Sequence, residues 1–316
     1  MPLPGVTAIV LVHDRVTYLR EALDSIRAQD YAGEIRILLV DDGSTPPARE
    51  RFGGDLSDVQ VVRQPSRGPA IARQLGAETA RTDLIAYLDD DDLWPVDSLS
   101  RRVAFLLAYP EVPVVAGDVD HFRDDIAPGP PWYRDRFLRL RTAPHRVTVD
   151  PPAGRIFPRD ALVDFVLLNT PFYAQSILAW RDWFLASGGW GGAHLMFAEP
   201  FDFAYRATRT GPVGYLDAVT AHIRRGHTQM TGNLQQSRLE ETRELAWWSQ
   251  QLPPRERQIV RPRLARRFLV HGFTWVRQGR VAPGLALARA ALPLLGRDPI
   301  GFVRQPWHRA AATSAG

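Results

Sequence analysis

Hydrophobic positions in the first third of the chain switch between two periods. Val6–Val12, Ile35–Val40, Val59–Val62, Leu84–Leu88 and Val112–Ala116 are short apolar runs of strand length. Between them, Tyr18–Gln29 places Leu19, Ala22, Leu23 and Ile26 at helical spacing, and Pro69–Ala80 and Val96–Tyr109 read as helices. Asp97 or Ser98 stands where the last of these needs an N-cap. Strands alternating with single helices are joined by right-handed crossovers. The pattern therefore predicts an α/β chain with a doubly wound, mostly parallel sheet flanked by helices.

Acidic residues interrupt the pattern at one kind of place. Asp14, Asp41–Asp42 and Asp89–Asp92 each follow a predicted strand, the second group inside the turn "DDGSTPP". Open α/β sheets bind ligands beyond the carboxyl ends of their strands, so these carboxylates are expected to converge on one sheet edge. The stretch 118–158, with "APGPPWYRDRF", is rich in Pro, Arg and aromatic residues and reads as irregular. A helix-like segment begins at Ala161, and the chain from Asn233 onward reads as helical, with an αα-hairpin around "RQGRVAPG". Two units are expected, 1–232 and 233–316.

Composition narrows the classes. With 45% hydrophobic and 23% charged residues the 316-residue chain is that of an ordinary globular protein, and zero cysteines exclude disulfides, thiolate metal sites and a cysteine nucleophile. No apolar run reaches membrane-span length and nothing near Met1 resembles a signal peptide, so a cytoplasmic address is expected. Charge is uneven: residues 255–316 carry 12 arginines against Glu256 and Asp298, whereas the remainder is net acidic. This basic helical end reads as a solvated face, a homodimer contact or a contact with the inner membrane surface; nucleic acid is not expected as a partner.

The run "LIAYLDDDDLWP" raises the chemical question, because four adjacent carboxylates repel unless water or a cation offsets them. Their oxygens suit magnesium or manganese, and such ions keep positions open for substrate phosphates. On an extended chain Asp89 and Asp91 would point one way and Asp90 and Asp92 the other.

Five segments occur in order: "TAIVLVHDR…LREALDSIRAQDY", "IRILLVDDGST", "RGPAIARQLGAETA", "LIAYLDDDDLW" and "GGW…EPFDFAYR". Together, over about residues 5–232, they resemble the family 2 glycosyltransferases, inverting enzymes of GT-A fold that use nucleotide-diphosphate sugars. The resemblance implies a UDP-, GDP- or dTDP-sugar donor, a hydroxyl acceptor and a divalent metal, Mn2+ or Mg2+. It implies that Leu11, Val12, His13 and Asp14 line the nucleotide, that Asp42 meets the nucleobase, and that Arg73 lies near the nucleotide. Asp91 would ligate the metal, with Asp89 and Asp90 on ribose or donor sugar. In "HIRRGHTQMTG", His227 would be a metal or phosphate ligand and Arg224 or Arg225 would offset negative charge. Trp94, Trp190 and the aromatics of 131–137 are candidates for a sugar or acceptor pocket.

One motif departs from the pattern. The family's Glu-Asp, with arginine six residues after the Asp, is here "AEPFDFAYR": Arg206 is in register but Pro200 occupies the Asp position. The catalytic base is then Glu199, which is favoured for its longer reach, or Asp202. A nucleotide-sugar-binding or scaffold protein with impaired catalysis is the alternative. Sugar-phosphate nucleotidylyltransferases need a glycine-rich phosphate loop that "TAIVLVHDR" does not supply.

Overall fold

The computed structural model describes residues 2–123, 146–148, 153–169, 172–191, 199–226 and 234–294, with the side chains of 146–148, 199 and 234–238 excepted. The chain divides into two compact units, Met1–Gln229 and Met230–Gly316.

Among the described residues, the first unit is built on a nine-stranded sheet. Its strands are β1 (Val6–Val12), β2 (Ile35–Asp42), β3 (Val59–Gln64), β4 (Leu84–Asp89), β5 (Val114–Phe122), β6 (Arg146–Thr148), β7 (Gly154–Phe157), β8 (Leu178–Trp180) and β9 (Val213–Arg224), in the order β3-β2-β1-β4-β8-β5-β9-β7-β6. The β3-β2-β1-β4 half is wholly parallel. The other half is mixed: β8 runs antiparallel to both β4 and β5, β9 is parallel to β5, and β7 and β6 add antiparallel at the edge.

All seven residues of β1 are buried, as the continuous apolar run requires for a central strand covered on both faces. Helix α1 (Leu19–Arg27) lays Leu19, Ala22, Leu23 and Ile26 on one face, with α4 (Ser98–Ala108) beside it. Helix α3 (Pro69–Thr79) covers the other face through Ala72, Gly76 and Ala77. Gly76 sets the helix–sheet distance there, since a Cβ would lie 2.4 Å from Cγ2 of Ile9. The opposite half of that layer is α5 (Val163–Leu168), α6 (Arg181–Ala186) and α7 (Glu199–Thr210), and α2 (Ala48–Phe52) closes the turn after β2.

Register places the site. Leu11 lies opposite Val40 on one side and Asp89 on the other, and Val12 lies opposite Asp41, so β1, β2 and β4 end level.

Local expectations are adjusted at several points. The strand expected at 112–116 is the longer β5, and the stretch read as irregular contains β6 and β7, whose short, isolated runs carry little periodic signal. Asp97 does occupy the N-cap position of α4, but its carboxylate accepts from Arg101 at 2.5 Å rather than capping the helix. Ser98 Oγ donates to the Thr220 carbonyl at 2.6 Å.

The second unit comprises helices α8 (Leu234–Ser249), α9 (Pro254–Arg277) and α10 (Val281–Ala291) around Leu239, Ala265, Phe268, Trp275, Leu287 and Ala291. Among the described residues no helix is long and apolar enough to cross a membrane.

Candidate active site

The level ends of β1, β2 and β4 carry the acidic groups together. After β2 the chain must turn sharply, and Gly43 takes φ +81° where a Cβ would lie 2.4 Å from the Ser66 nitrogen. Asp41 shapes this turn by accepting from the Ser44 and Ala48 N–H groups at 2.8 and 2.9 Å. Asp42 reaches across to the loop after β3, accepting from Gln64 Nε2 at 2.7 Å and from the N–H groups of Arg67 and Gly68, both at 2.9 Å. Its carboxylate thus binds the β2 end to the loop that leads into α3.

The β1 end joins the same turn. Asp14, at φ 54°, accepts from Thr45 N–H at 2.7 Å, and its own N–H donates to Ser44 Oγ at 2.9 Å. His13 Nδ1 lies 2.7 Å from the Asp42 carbonyl, which can only accept, so this nitrogen carries the proton. Leu11 and Val12 are buried beneath them.

Beyond β4 the four aspartates do not alternate. The chain turns, Asp92 N–H donating to the Asp89 carbonyl at 3.2 Å, and each carboxylate enters a different environment. Oxygens of Asp89, Asp91 and Asp92 lie within 4.8 Å of one another, so the expected opposition of Asp92 to Asp89 and Asp91 is replaced by the geometry of a turn. Arg73 Nη2 donates to Asp89 at 3.0 Å. A single nitrogen of Arg15, Nη2, donates to Asp90 at 3.0 Å and Asp91 at 2.6 Å. Gln175 Nε2 bridges Asp89 at 2.6 Å and Asp92 at 2.8 Å. Asp92 also accepts from the Arg224 N–H at 2.9 Å.

Electrostatics follow from this packing. Burial pushes the Asp90 carboxyl up to about 7, opposed by Arg15 and reinforced by Asp91 and Asp89. Burial, then the charges of Asp91 and Asp89, raise Asp92 well above the usual carboxylate range. Asp92 is nearly inaccessible and both of its oxygens hold protein donors; Asp89 also accepts from Arg73 and Gln175 but is only half-buried, and with Asp91 it is the better placed of the group to meet a cation. The all-oxygen donor set fits a hard divalent ion.

Other expected residues are placed as follows. Arg224, with its guanidinium between the rings of Tyr18 and Phe122, donates to the Asp91 carbonyl at 2.9 Å and Glu21 at 2.6 Å. Arg225 donates instead to His121 Nδ1 at 2.8 Å, although its charge still lowers the Asp92 carboxyl. Asp202 Oδ2 accepts twice from Arg206, at 3.0 and 2.7 Å, and Arg206 also donates to the carbonyls of Ser187 and Gly189. Glu199 opens α7, but its side chain, His227 and the 131–137 aromatics lie outside the described residues. Trp94 and Trp190 are core rather than pocket lining. Trp94 donates to the Gln175 carbonyl at 2.9 Å, and Trp190 packs on Tyr87, Phe184 and Phe203 beneath Arg73.

Sequence reasoning missed Arg15 and Gln175. Arg15 directly follows "HD" at the acidic edge, a basic neighbour that could have been noticed. Gln175 is 86 residues from Asp89 and sits in no motif, so only the fold reveals it.

The family model for glycosyl transferase family 2 matches residues 7–165, half of the chain. The chain belongs to glycosyl transferase family 2. This family 2 chain is 32% identical over 111 residues to an uncharacterized glycosyltransferase of Haemophilus influenzae, covering 34% of this chain. It is 35% identical over 95 residues, 29% of this chain, to the putative glycosyltransferase EpsH of Bacillus subtilis. It spans only 44% and 27% of these two relatives' lengths. Among solved structures, S. aureus TarS superposes with a TM-score of 0.54 at 16% identity, covering 84% of this chain and 43% of TarS. The TarS fragment in complex with UDP-GlcNAc superposes with 0.53 at 13% identity over 90% of this chain and 91% of that one. At such identities the likeness establishes the fold, which is GT-A.

Proposed function

We propose that this family 2 chain is an inverting glycosyltransferase that moves a sugar from a nucleoside-diphosphate donor to an acceptor hydroxyl, with 1–232 as its catalytic domain. The observation that carries the reading is the juxtaposition at one sheet edge of the Asp42-held loop, the Arg73–Asp89 pair and the Asp91 turn. The TarS complexes with UDP and UDP-GlcNAc make a uridine donor the first to test.

In this reading Leu11–Asp14 floor the nucleotide, Asp42 holds the loop against which the base is read, and Arg73 and Arg225 counter the diphosphate. Asp89 and Asp91 would hold the divalent cation, with His227 as a further ligand. Bound there, Mg2+ or Mn2+ supplies charge neutralisation for the departing diphosphate. Glu199 removes the acceptor proton as the hydroxyl attacks from the face opposite the leaving group. Asp202 is the weaker candidate for base because its Oδ2 is committed to Arg206, which also ties down the Gly188–Gly191 turn. The same commitment, with Pro200 in the position of the family's Asp, favours a second reading: donor binding without turnover.

The test is a thermal-shift panel of UDP, GDP, dTDP and CDP with and without manganese, followed by donor consumption. A nucleotide at 100 times its Kd stabilises by about 2.7 kcal/mol. A metal-dependent shift with one nucleotide, lost in Asp91→Ala, supports the donor site. Donor consumption lost in Glu199→Gln and kept in Asp202→Asn supports the assigned base. No consumption despite binding favours the second reading, and no shift with any nucleotide overturns both.

A further inference from the structure

The α9–α10 hairpin ends in a tip whose surface is inconsistent with a purely solvated one. Gly272 and Gly284 mark where the two helices cross, since a Cβ on Gly284 would lie 2.6 Å from the Gly272 carbonyl oxygen. Residues 273–283 therefore form the turn end beyond that crossing. There Phe273 is 64% exposed and Val281 51%, with Val276 exposed beside them and Leu285 one turn behind. Arg277 and Arg280 are exposed among these apolar side chains; Arg277 lies 5.8 Å from the Phe273 ring, and Arg280 stacks 3.9 Å over Trp275.

We infer that this tip docks on an anionic lipid surface, inserting Phe273, Val276, Val281 and Leu285 at the headgroup boundary while Arg277 and Arg280 meet the lipid phosphates. Charge chooses the occupant. Residues 254–291 contain nine arginines and a single acidic residue, Glu256, which is buried. A second copy docking tip to tip would bring Arg277 and Arg280 against their counterparts, and like charges at an interface oppose association. Nucleic acid would meet the arginines but leaves exposed Phe and Val without a partner. A bilayer with acidic headgroups satisfies both: apolar side chains enter the acyl boundary and each basic residue adds about 1 kcal/mol near the surface. Arginine suits this place because its stem covers apolar surface while its head remains at the phosphates.

The inference is independent of the reading of the active site. It is tested by co-sedimenting the full chain with vesicles of phosphatidylcholine alone and of phosphatidylcholine mixed with phosphatidylglycerol. The expected result is binding to the mixed vesicles only, weakened about tenfold by Phe273→Ser and at least as much by the double change Arg277→Glu and Arg280→Glu. Unchanged melting temperatures would show that the variants remain folded, and added salt should weaken wild type more than the charge-reversed protein. Equal binding to both vesicles, binding to neither, or mixed-vesicle binding unaltered by either variant overturns the inference. A dimer that dissociates on Phe273→Ser without any vesicle binding also overturns it, by assigning the tip to self-association.

Discussion

Asp90 gives the sharpest test of how the acidic turn is held. Its carboxyl is 6% exposed and is pushed up to about 7 by burial, against about 3.9 in an unfolded chain. A carboxylate whose folded-state pKa is raised binds its proton more tightly in the folded protein. The stability it lends is fully present below about pH 4 and is lost as pH rises through about 7. At about 1.36 kcal/mol per pH unit, ionising Asp90 costs the metal-free fold on the order of 4 kcal/mol by pH 8. Asp90→Asn removes that cost while keeping an oxygen to accept from Arg15. The bond from Arg15 is already counted in the raised value, so neutralising Asp90 is expected to gain about 4 kcal/mol at pH 8, shrinking to nothing near pH 4, while Arg15 keeps Asp91 at 2.6 Å. Urea unfolding of wild type and variant in chelator, at matched pH values, reads this, and taking the difference cancels the titrating groups that do not interact with Asp90. A variant less stable than wild type at pH 8, or a difference that does not grow with pH, would refute the reasoning. Under the proposed function the same substitution lowers donor turnover, so stability and activity move in opposite directions.

Three further outcomes follow from the same geometry. Manganese should raise the melting temperature of wild type more at pH 8 than at pH 5, and Asp91→Asn should abolish the difference; an undiminished shift in the variant would place the ion elsewhere. Gln175→Leu deletes the donor shared by Asp89 and Asp92, so a loss of about 3 kcal/mol is expected where both are ionised, diminishing as the pH is lowered and the raised Asp92 carboxyl takes up a proton; a loss in urea unfolding that does not diminish with falling pH would contradict this. Gly76→Ala should cost about 1–3 kcal/mol through its clash with Cγ2 of Ile9, and it should cost less in an Ile9→Ala background, which lacks that methyl, in a double-mutant cycle.

What the sequence revealed and what it hid divide along one physical line. The strands that build the donor edge are buried on both faces and therefore advertise themselves as apolar runs, and the aspartates following them are legible because charge abruptly replaces apolarity. Segments whose role depends on partners distant in the chain give no such signal. β8 is three residues long and becomes a strand only because β4 and β5 leave a slot between them. β9 runs from Val213 to Arg224 with register shifts against β5 at Gly117 and Asp118, which blur any alternation. Trp94 and Trp190 were equally good pocket or core residues by type, and only the ring contacts decide for the core.

The four aspartates make the same point at the scale of single residues. Composition treats them as one acidic run, but the turn after β4 gives each a separate environment. Asp92 is drawn inward, where the Arg224 N–H and Gln175 Nε2 occupy its oxygens, so it anchors β9 and the Gln175 segment to the turn. Asp90 faces Arg15 from a site whose burial resists its ionisation. Asp89 is the half-buried member, restrained by Arg73, and Asp91 is buried beside it against Arg15. A run of like charges is tolerated because it does not act as a run. Two members support the geometry of the other two, and the negative charge that remains is what a cation or the basic groups around a diphosphate would offset.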